Sequence, residues 1–173
     1  MQMPKSVKKV WDAVTTVLVV LVVLFAVFLM GSRLMGMQVF NVISGSMEPT
    51  YSVGDLIYVK TVDPDAVKVG DPITFVLNED LVVATHRVVA IDSEGRWFYT
   101  KGDANEHEDA APVHFNNLVG VPVFSIPLLG YVSAYIQSPP GTYVAIGFGA
   151  VLLLAVFLPD LMTGKDKKEE ETA

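Results

Sequence analysis

The sequence predicts a mostly β extracytoplasmic domain flanked by N- and C-terminal transmembrane helices. Three observations carry this reading: an apolar run over residues 10–30, a second over 141–158, and between them short stretches rich in β-branched and aromatic residues, punctuated by turn residues. The 173 residues leave room for one compact domain plus attachments. Hydrophobic residues make up 51% of the chain and the mean hydropathy is +0.45, and the excess sits at the two ends.

The first apolar run, VWDAVTTVLVVLVVLFAVFLM, carries one formal charge, Asp12, at its leading edge. As a helix rising 1.5 Å per residue it covers roughly 30 Å, the thickness of the bilayer hydrocarbon. A cleavable signal peptide is the alternative, but its apolar core is typically only about 7–15 residues, and no small-x-small cleavage site follows here. Lys5, Lys8 and Lys9 precede the run, so the positive-inside rule puts residues 1–9 in the cytoplasm. Residues 31–140 then lie outside the membrane.

The second run, GTYVAIGFGAVLLLAVFL, is uncharged and about 27 Å long as a helix. A buried core helix is the alternative, although the middle region is small for enclosing it. The tail 159–173, with Lys165, Lys167 and Lys168, fits a cytoplasmic end. Both termini are expected in the cytoplasm.

Between the ends, the strand-like stretches are Asp55–Lys60, Pro72–Leu77, Leu81–Ile91, Arg96–Thr100 and Leu118–Phe124. Asn78-Glu-Asp80 and Asp92–Gly95 read as hairpin loops, which would make the strand carrying His86 a central one. Alternation along that strand puts Ala84, His86 and Val88 on one face. Residues 126–136 read as a surface-lying segment, and Gln137–Gly141 as a breaker before the second run.

Charge and composition exclude several classes of function. Residues 31–141 hold thirteen acids against six Lys or Arg, the whole of the chain's net −7, which argues against a nucleic-acid partner. Without cysteine there are no disulfides, thiolate metal sites or thiol nucleophiles.

The chemistry-bearing residues are few. A serine nucleophile needs a base within hydrogen-bond reach and donors for the oxyanion. Ser46 follows Gly45, which leaves room for a substrate backbone, and the Ser46 N–H and Ser44 hydroxyl are candidate oxyanion donors. The same Ser-Gly-Ser-Met before a proline is also an ordinary turn. His86 is a candidate base, and equally a half-buried strand histidine; His107 and His114 fall in loop-like sequence. Asp103, Glu106, Glu108 and Asp109 make an acidic loop that lacks the alternating ligands, central glycine and distal glutamate of a calcium loop. No metal or cofactor is expected.

Four motifs in order, Ser44-Gly-Ser-Met-Glu-Pro-Thr50, Gly70-Asp-Pro-Ile73, Thr85-His-Arg-Val88 and Lys101-Gly-Asp103 with Asp109 six residues later, resemble the type I signal peptidases. The subgroup is that of archaea, the endoplasmic reticulum and some Gram-positive bacteria, in which histidine replaces a lysine base. The resemblance covers roughly residues 10–130. It implies Ser46 as nucleophile, His86 as general base and Asp109 as the acid orienting it. Asp103 would be a second important carboxylate, and Ser44 an oxyanion donor beside the Ser46 N–H. Which of Asp103 and Asp109 touches His86 stays open, as does the role of His107, an extra candidate base in the loop after Gly102-Asp103, which reads Ala-Asn-Glu-His-Glu-Asp where relatives tend to carry Asn-Asn.

The resemblance further implies a membrane serine endopeptidase whose partners are signal peptides of exported preproteins, the lipid bilayer and the translocation channel. Fifteen residues, Gly31–Gly45, join the first run to the Ser46 turn, which suits a scissile bond near the outer membrane surface. Seven of them (Leu34, Met35, Met37, Val39, Phe40, Val42 and Ile43) are apolar, for the lipid interface, a strand-binding groove or the β-core. A processing protease dedicated to one exported substrate and a non-catalytic anchored β-scaffold are the rival readings.

Overall fold

The computed structural model describes residues 4–77 and 82–170. They divide into two units: residues 31–134 form one, and the segments before 31 and after 134 form the other. The expected loop Asn78-Glu-Asp80 lies outside the described residues.

The 31–134 unit is built on a seven-stranded, wholly antiparallel sheet in the order β1-β2-β7-β3-β4-β5-β6. The strands are β1 (Met37–Asn41), β2 (Leu56–Lys60), β3 (Pro72–Val76), β4 (Val83–Asp92), β5 (Trp97–Lys101), β6 (Val113–His114) and β7 (Leu118–Ile126). Five of them match the β-branched stretches of the sequence. β4 lies between β3 and β5, so His86 stands on an interior strand, and Asp92–Gly95 is the turn that reverses β4 into β5, with the Gly95 N–H donating to Asp92 Oδ1.

Two apolar clusters hold the sheet. Ile73, Phe75, Val88, Phe98 and Phe115 pack together at 2% exposure or less, Phe98 and Phe115 stacked at 4.2 Å between centroids. Fully burying each such side chain contributes roughly 1.5–3 kcal/mol. Met47, Tyr51, Ile57 and Val59 make the second cluster. Pro122 lies in an interior strand where its missing N–H would break a ladder; the β2–β7 register shifts at that point, between Tyr58 and Val59, and the bulge accommodates it.

β1 was not among the expected strands. The apolar residues before Ser46 divide between two environments: Phe40 and Val42 pack on the Met47 cluster, whereas Leu34, Met35 and Ile43 are exposed. Helix α1 (Lys5–Leu34) ends just before Gly36, whose φ of +72° suits a residue without a Cβ and turns the chain into β1.

The segment expected over residues 126–136 is mostly a short helix, α2 (Leu129–Gln137). Helix α3 (Pro139–Glu170) overruns the expected 141–158 run at both ends. Only Ser138 separates it from α2: the first helical positions need no N–H, so Pro139 and Pro140 begin the helix instead of delaying it. Among the described residues, one helix segment is long and apolar enough to cross a membrane, Pro139–Phe157.

Beyond its midpoint α3 runs through Pro159, which has no N–H to offer the carbonyl of Ala155 four residues back. That carbonyl accepts a hydrogen bond from the indole Nε1 of Trp11, at 3.1 Å, so α1 and α3 meet at the point where the proline interrupts the helical ladder.

Candidate active site

Three segments of the 31–134 unit meet at Ser46. The first is the turn between β1 and β2. Met47, 2% exposed, is its anchor, and the turn closes on itself through Glu48 N–H to Gly45 O and Tyr51 N–H to Met47 O. The second is β4, carrying His86 and Arg87. The third is the loop between β5 and β6, which carries Asp103 and Asp109.

His86 joins the three segments. Its Nε2 lies 3.2 Å from Ser46 Oγ and its Nδ1 lies 2.5 Å from Asp109 Oδ2. Of the two acids left open by the sequence, Asp109 is the one that touches the imidazole. An ionised carboxylate only accepts, so Nδ1 carries the proton of the neutral ring and Nε2 presents its lone pair to the serine hydroxyl. Ser44 Oγ is 3.4 Å from Ser46 Oγ, and the Ser46 N–H bonds to no described residue.

Asp103 faces a different partner. Consecutive side chains of a strand point to opposite faces, so Arg87 reaches away from its neighbour His86. Its Nε and Nη2 grip Asp103 Oδ1 and Oδ2 at 2.7 and 2.6 Å, Thr50 donates to the same carboxylate at 2.5 Å, and Nη1 donates to the Gly70 carbonyl at 2.7 Å. The Arg87 guanidinium holds the Asp103 carboxyl below its usual range, outweighing the opposing effect of burial, with the Thr50 hydroxyl helping. Asp103 in turn raises the Arg87 pKa, while burial pushes the nearby Tyr51 phenol up.

Backbone contacts tie the acid loop to the serine turn. Ala104 N–H donates to the Ser46 carbonyl at 2.9 Å, and Gly102 packs so closely beneath it that a Cβ there would stand 2.6 Å from that oxygen. Asp109 is fixed to β5: its N–H donates to the Thr100 carbonyl at 2.8 Å, and the Thr100 hydroxyl donates to its Oδ2 at 2.6 Å.

The sequence alone assigns no part to Thr50, Arg87 or Thr100. Arg87 was within reach of it, because strand alternation separates it from His86 and the acidic loop offers it partners. Nothing in sequence spacing singles out Thr100.

His107 is exposed, with no hydrogen bond or ion pair to any described residue, and His114 instead accepts from the Asn116 N–H to cap a turn. Among the described residues no three His, Asp or Glu side chains are grouped as a cation would require.

A groove of about 760 Å³ opens beside the serine, lined by Phe40, Ile43, Ser44, Val83 and His86 among others. β4 pairs with β3 over Val83–Arg87 but with β5 only from Arg87 onward, so Val83–His86 has a strand neighbour on one side only among the described residues. The site therefore sets a serine hydroxyl in contact with an imidazole beside a backbone edge suited to an extended peptide.

No family model matches the chain. Signal peptidase I W of Bacillus subtilis (strain 168) is 43% identical to it over 86 residues, which are 48% of this chain and 45% of that protein. The signal peptidase complex catalytic subunit SEC11C of Homo sapiens is 35% identical over 71 residues, 39% of this chain and 37% of the relative. The catalytic subunit SEC11 of Scheffersomyces stipitis is 31% identical over 127 residues, 68% of this chain and 75% of the relative. The chain thus spans less than half the length of the first two and three quarters of the third.

Proposed function

We propose that this chain, which belongs to the type I signal peptidases of the endoplasmic-reticulum and archaeal type, is a membrane-bound serine endopeptidase that removes signal peptides from exported preproteins. The observation that carries the reading is the unbroken line of contacts from Ser46 Oγ through His86 to Asp109.

Ser46 is the nucleophile. Its Oγ attacks the scissile carbonyl carbon while its proton passes to His86 Nε2, and Asp109 steadies the imidazolium that forms. The tetrahedral oxyanion takes hydrogen bonds from the Ser46 N–H and the Ser44 hydroxyl. Collapse expels the amine of the mature protein, which takes its proton from His86. Water, deprotonated by the same imidazole, then attacks the acyl-enzyme, releases the signal peptide and returns the proton to Ser46.

The substrate lies extended along Val83–His86, adding as a strand in the groove. Asp103 is not in the proton path; through Arg87 and Thr50 it fixes the serine turn against the acid loop. α1 and α3 cross the bilayer with both termini cytoplasmic, so the 31–134 unit works on the extracytoplasmic face, where a preprotein leaves the translocation channel.

The test is cleavage of a preprotein by the purified protein in detergent. Wild type should cut at the signal-peptide junction, and Ser46→Ala and His86→Ala should each abolish cutting while keeping the wild-type unfolding temperature. Cutting by Ser46→Ala would refute the nucleophile, and a folded wild type that cuts no preprotein would favour the scaffold reading.

A further inference from the structure

The side chain that holds Asp109 belongs to neither the serine turn nor the histidine strand. Thr100 is 1% exposed on β5 and grips Asp109 twice: its carbonyl accepts the Asp109 N–H at 2.8 Å and its hydroxyl donates to Oδ2 at 2.6 Å. Oδ2 is also the oxygen that faces His86 Nδ1. From this geometry we infer that Thr100 is a positioning residue for the reaction, acting through Asp109 on the tautomer and direction of the His86 ring. The inference rests on the function proposed above.

A threonine hydroxyl has one hydrogen, and here it is spent on Asp109 Oδ2. An oxygen that receives that hydrogen acts as an acceptor, so the hydrogen between Oδ2 and Nδ1 belongs to the imidazole. Nε2 is then left bare, which is the form that takes a proton from Ser46. Thr100 also stops the carboxylate turning about its own bond: with the Asp109 backbone held at the Thr100 carbonyl, the hydroxyl fixes which oxygen meets the ring. Without the hydroxyl, Oδ2 keeps one partner instead of two, and both the rotation of the carboxylate and the direction of Nε2 are loosened.

A purely structural role for Thr100 makes a different forecast. Its surroundings are a buried strand, where valine has the same branched shape and suits the sheet, whereas serine leaves a methyl-sized gap. If packing were its whole contribution, Thr100→Val would be harmless and Thr100→Ser the damaging change. Positioning through the hydroxyl demands the opposite order in kcat.

The experiment is steady-state cleavage of a fluorogenic peptide carrying a signal-peptide cleavage site, by full-length protein in detergent, with unfolding temperatures measured on the same preparations. Thr100→Val should lower kcat about tenfold to a hundredfold, the size of one hydrogen bond to a charged group, with KM unchanged. Thr100→Ser should keep kcat within about twofold of wild type even if it unfolds earlier, a range below the loss of one such bond. In an Asp109→Asn background, Thr100→Val should add little, because its route to the ring is already cut.

Equal kcat in wild type and Thr100→Val, or a Thr100→Ser variant as slow as Thr100→Val, would overturn the inference. If Thr100→Val does not fold, the serine variant alone decides it. Ser46→Ala is the control that separates the two levels: if it is inactive while Thr100→Val is fully active, the positioning role falls and the enzyme reading stands, whereas activity in Ser46→Ala removes both.

Discussion

Arg87 holds Asp103 with two parallel hydrogen bonds, Nε to Oδ1 at 2.7 Å and Nη2 to Oδ2 at 2.6 Å. Lysine cannot reproduce that fork, so Arg87→Lys and Asp103→Asn should behave alike. Each should cost about 1.5–3 kcal/mol of stability, the range for a hydrogen bond to a charged group. Each should also reduce kcat by loosening the serine turn against the acid loop. Chemical denaturation and cleavage kinetics on both variants check this, and a stable, fully active Arg87→Lys would mean that the fork is not needed.

The same pair gives the stability a pH dependence of known sign. The Asp103 carboxyl is held below its ordinary value by the Arg87 guanidinium, so the unfolded chain takes up this proton at a higher pH than the folded one. The stabilisation is complete above the ordinary aspartate value, about 3.9, and is lost as pH falls through the lower folded value. Urea unfolding across the acid range should therefore show a steeper loss for wild type than for Asp103→Asn. Parallel curves would assign the acid sensitivity to other carboxylates.

Asp109 touches the imidazole and Asp103 does not, which predicts different consequences for two chemically identical substitutions. Asp109→Asn should lower kcat by about 10³–10⁴, as expected when the acid that sets a catalytic histidine's tautomer is replaced by an amide. Asp103→Asn should cost less in kcat and more in stability. Measuring both quantities on both variants exposes the contrast, and a larger kcat loss in Asp103→Asn would exchange the two roles.

Ser46, His86 and the acid loop were legible because each sits in a short local motif and the motifs come in order. The choice between Asp103 and Asp109 was not, because both lie in one loop, and only the return of Asp109 onto Thr100 decides which acid meets the ring. Five strands, β2, β3, β4, β5 and β7, showed themselves by composition. β1 did not, because its five residues follow a helix and lie in an apolar stretch with several possible uses. Pro139 reads as part of a break before the second apolar run, yet it occupies the start of α3.

Gly102 lies where a larger residue would press on the serine. A Cβ at that position would stand 2.6 Å from the Ser46 carbonyl and 2.7 Å from Asn105 Nδ2. The side-chain amide can swing aside; the carbonyl, which also receives the Ala104 N–H, moves only with the turn. Gly102→Ala should therefore displace Ser46 relative to His86 and lower kcat by about 10²-fold, the scale of a 1 Å error in a reacting group. Wild-type kcat in a folded Gly102→Ala variant would show that the turn absorbs the methyl without moving Oγ.

Trp11 and Pro159 predict a coupling that neither residue shows alone. Pro159 withdraws the N–H that would serve the Ala155 carbonyl, and the Trp11 indole supplies a replacement at 3.1 Å. With the helix pair in the bilayer, as proposed above, an unserved carbonyl is costly, so Trp11→Phe, which keeps a ring and removes the donor, should destabilise the pair. The expected loss is about 0.5–2 kcal/mol, the range measured for hydrogen bonds between helices in membranes. Pro159→Ala restores a backbone donor to Ala155, so in that background Trp11→Phe should cost almost nothing. Thermal unfolding of the four proteins in detergent closes the cycle. An equal cost of Trp11→Phe in both backgrounds would show that the indole contributes through packing, and that the interrupted ladder at Pro159 is not what it repairs.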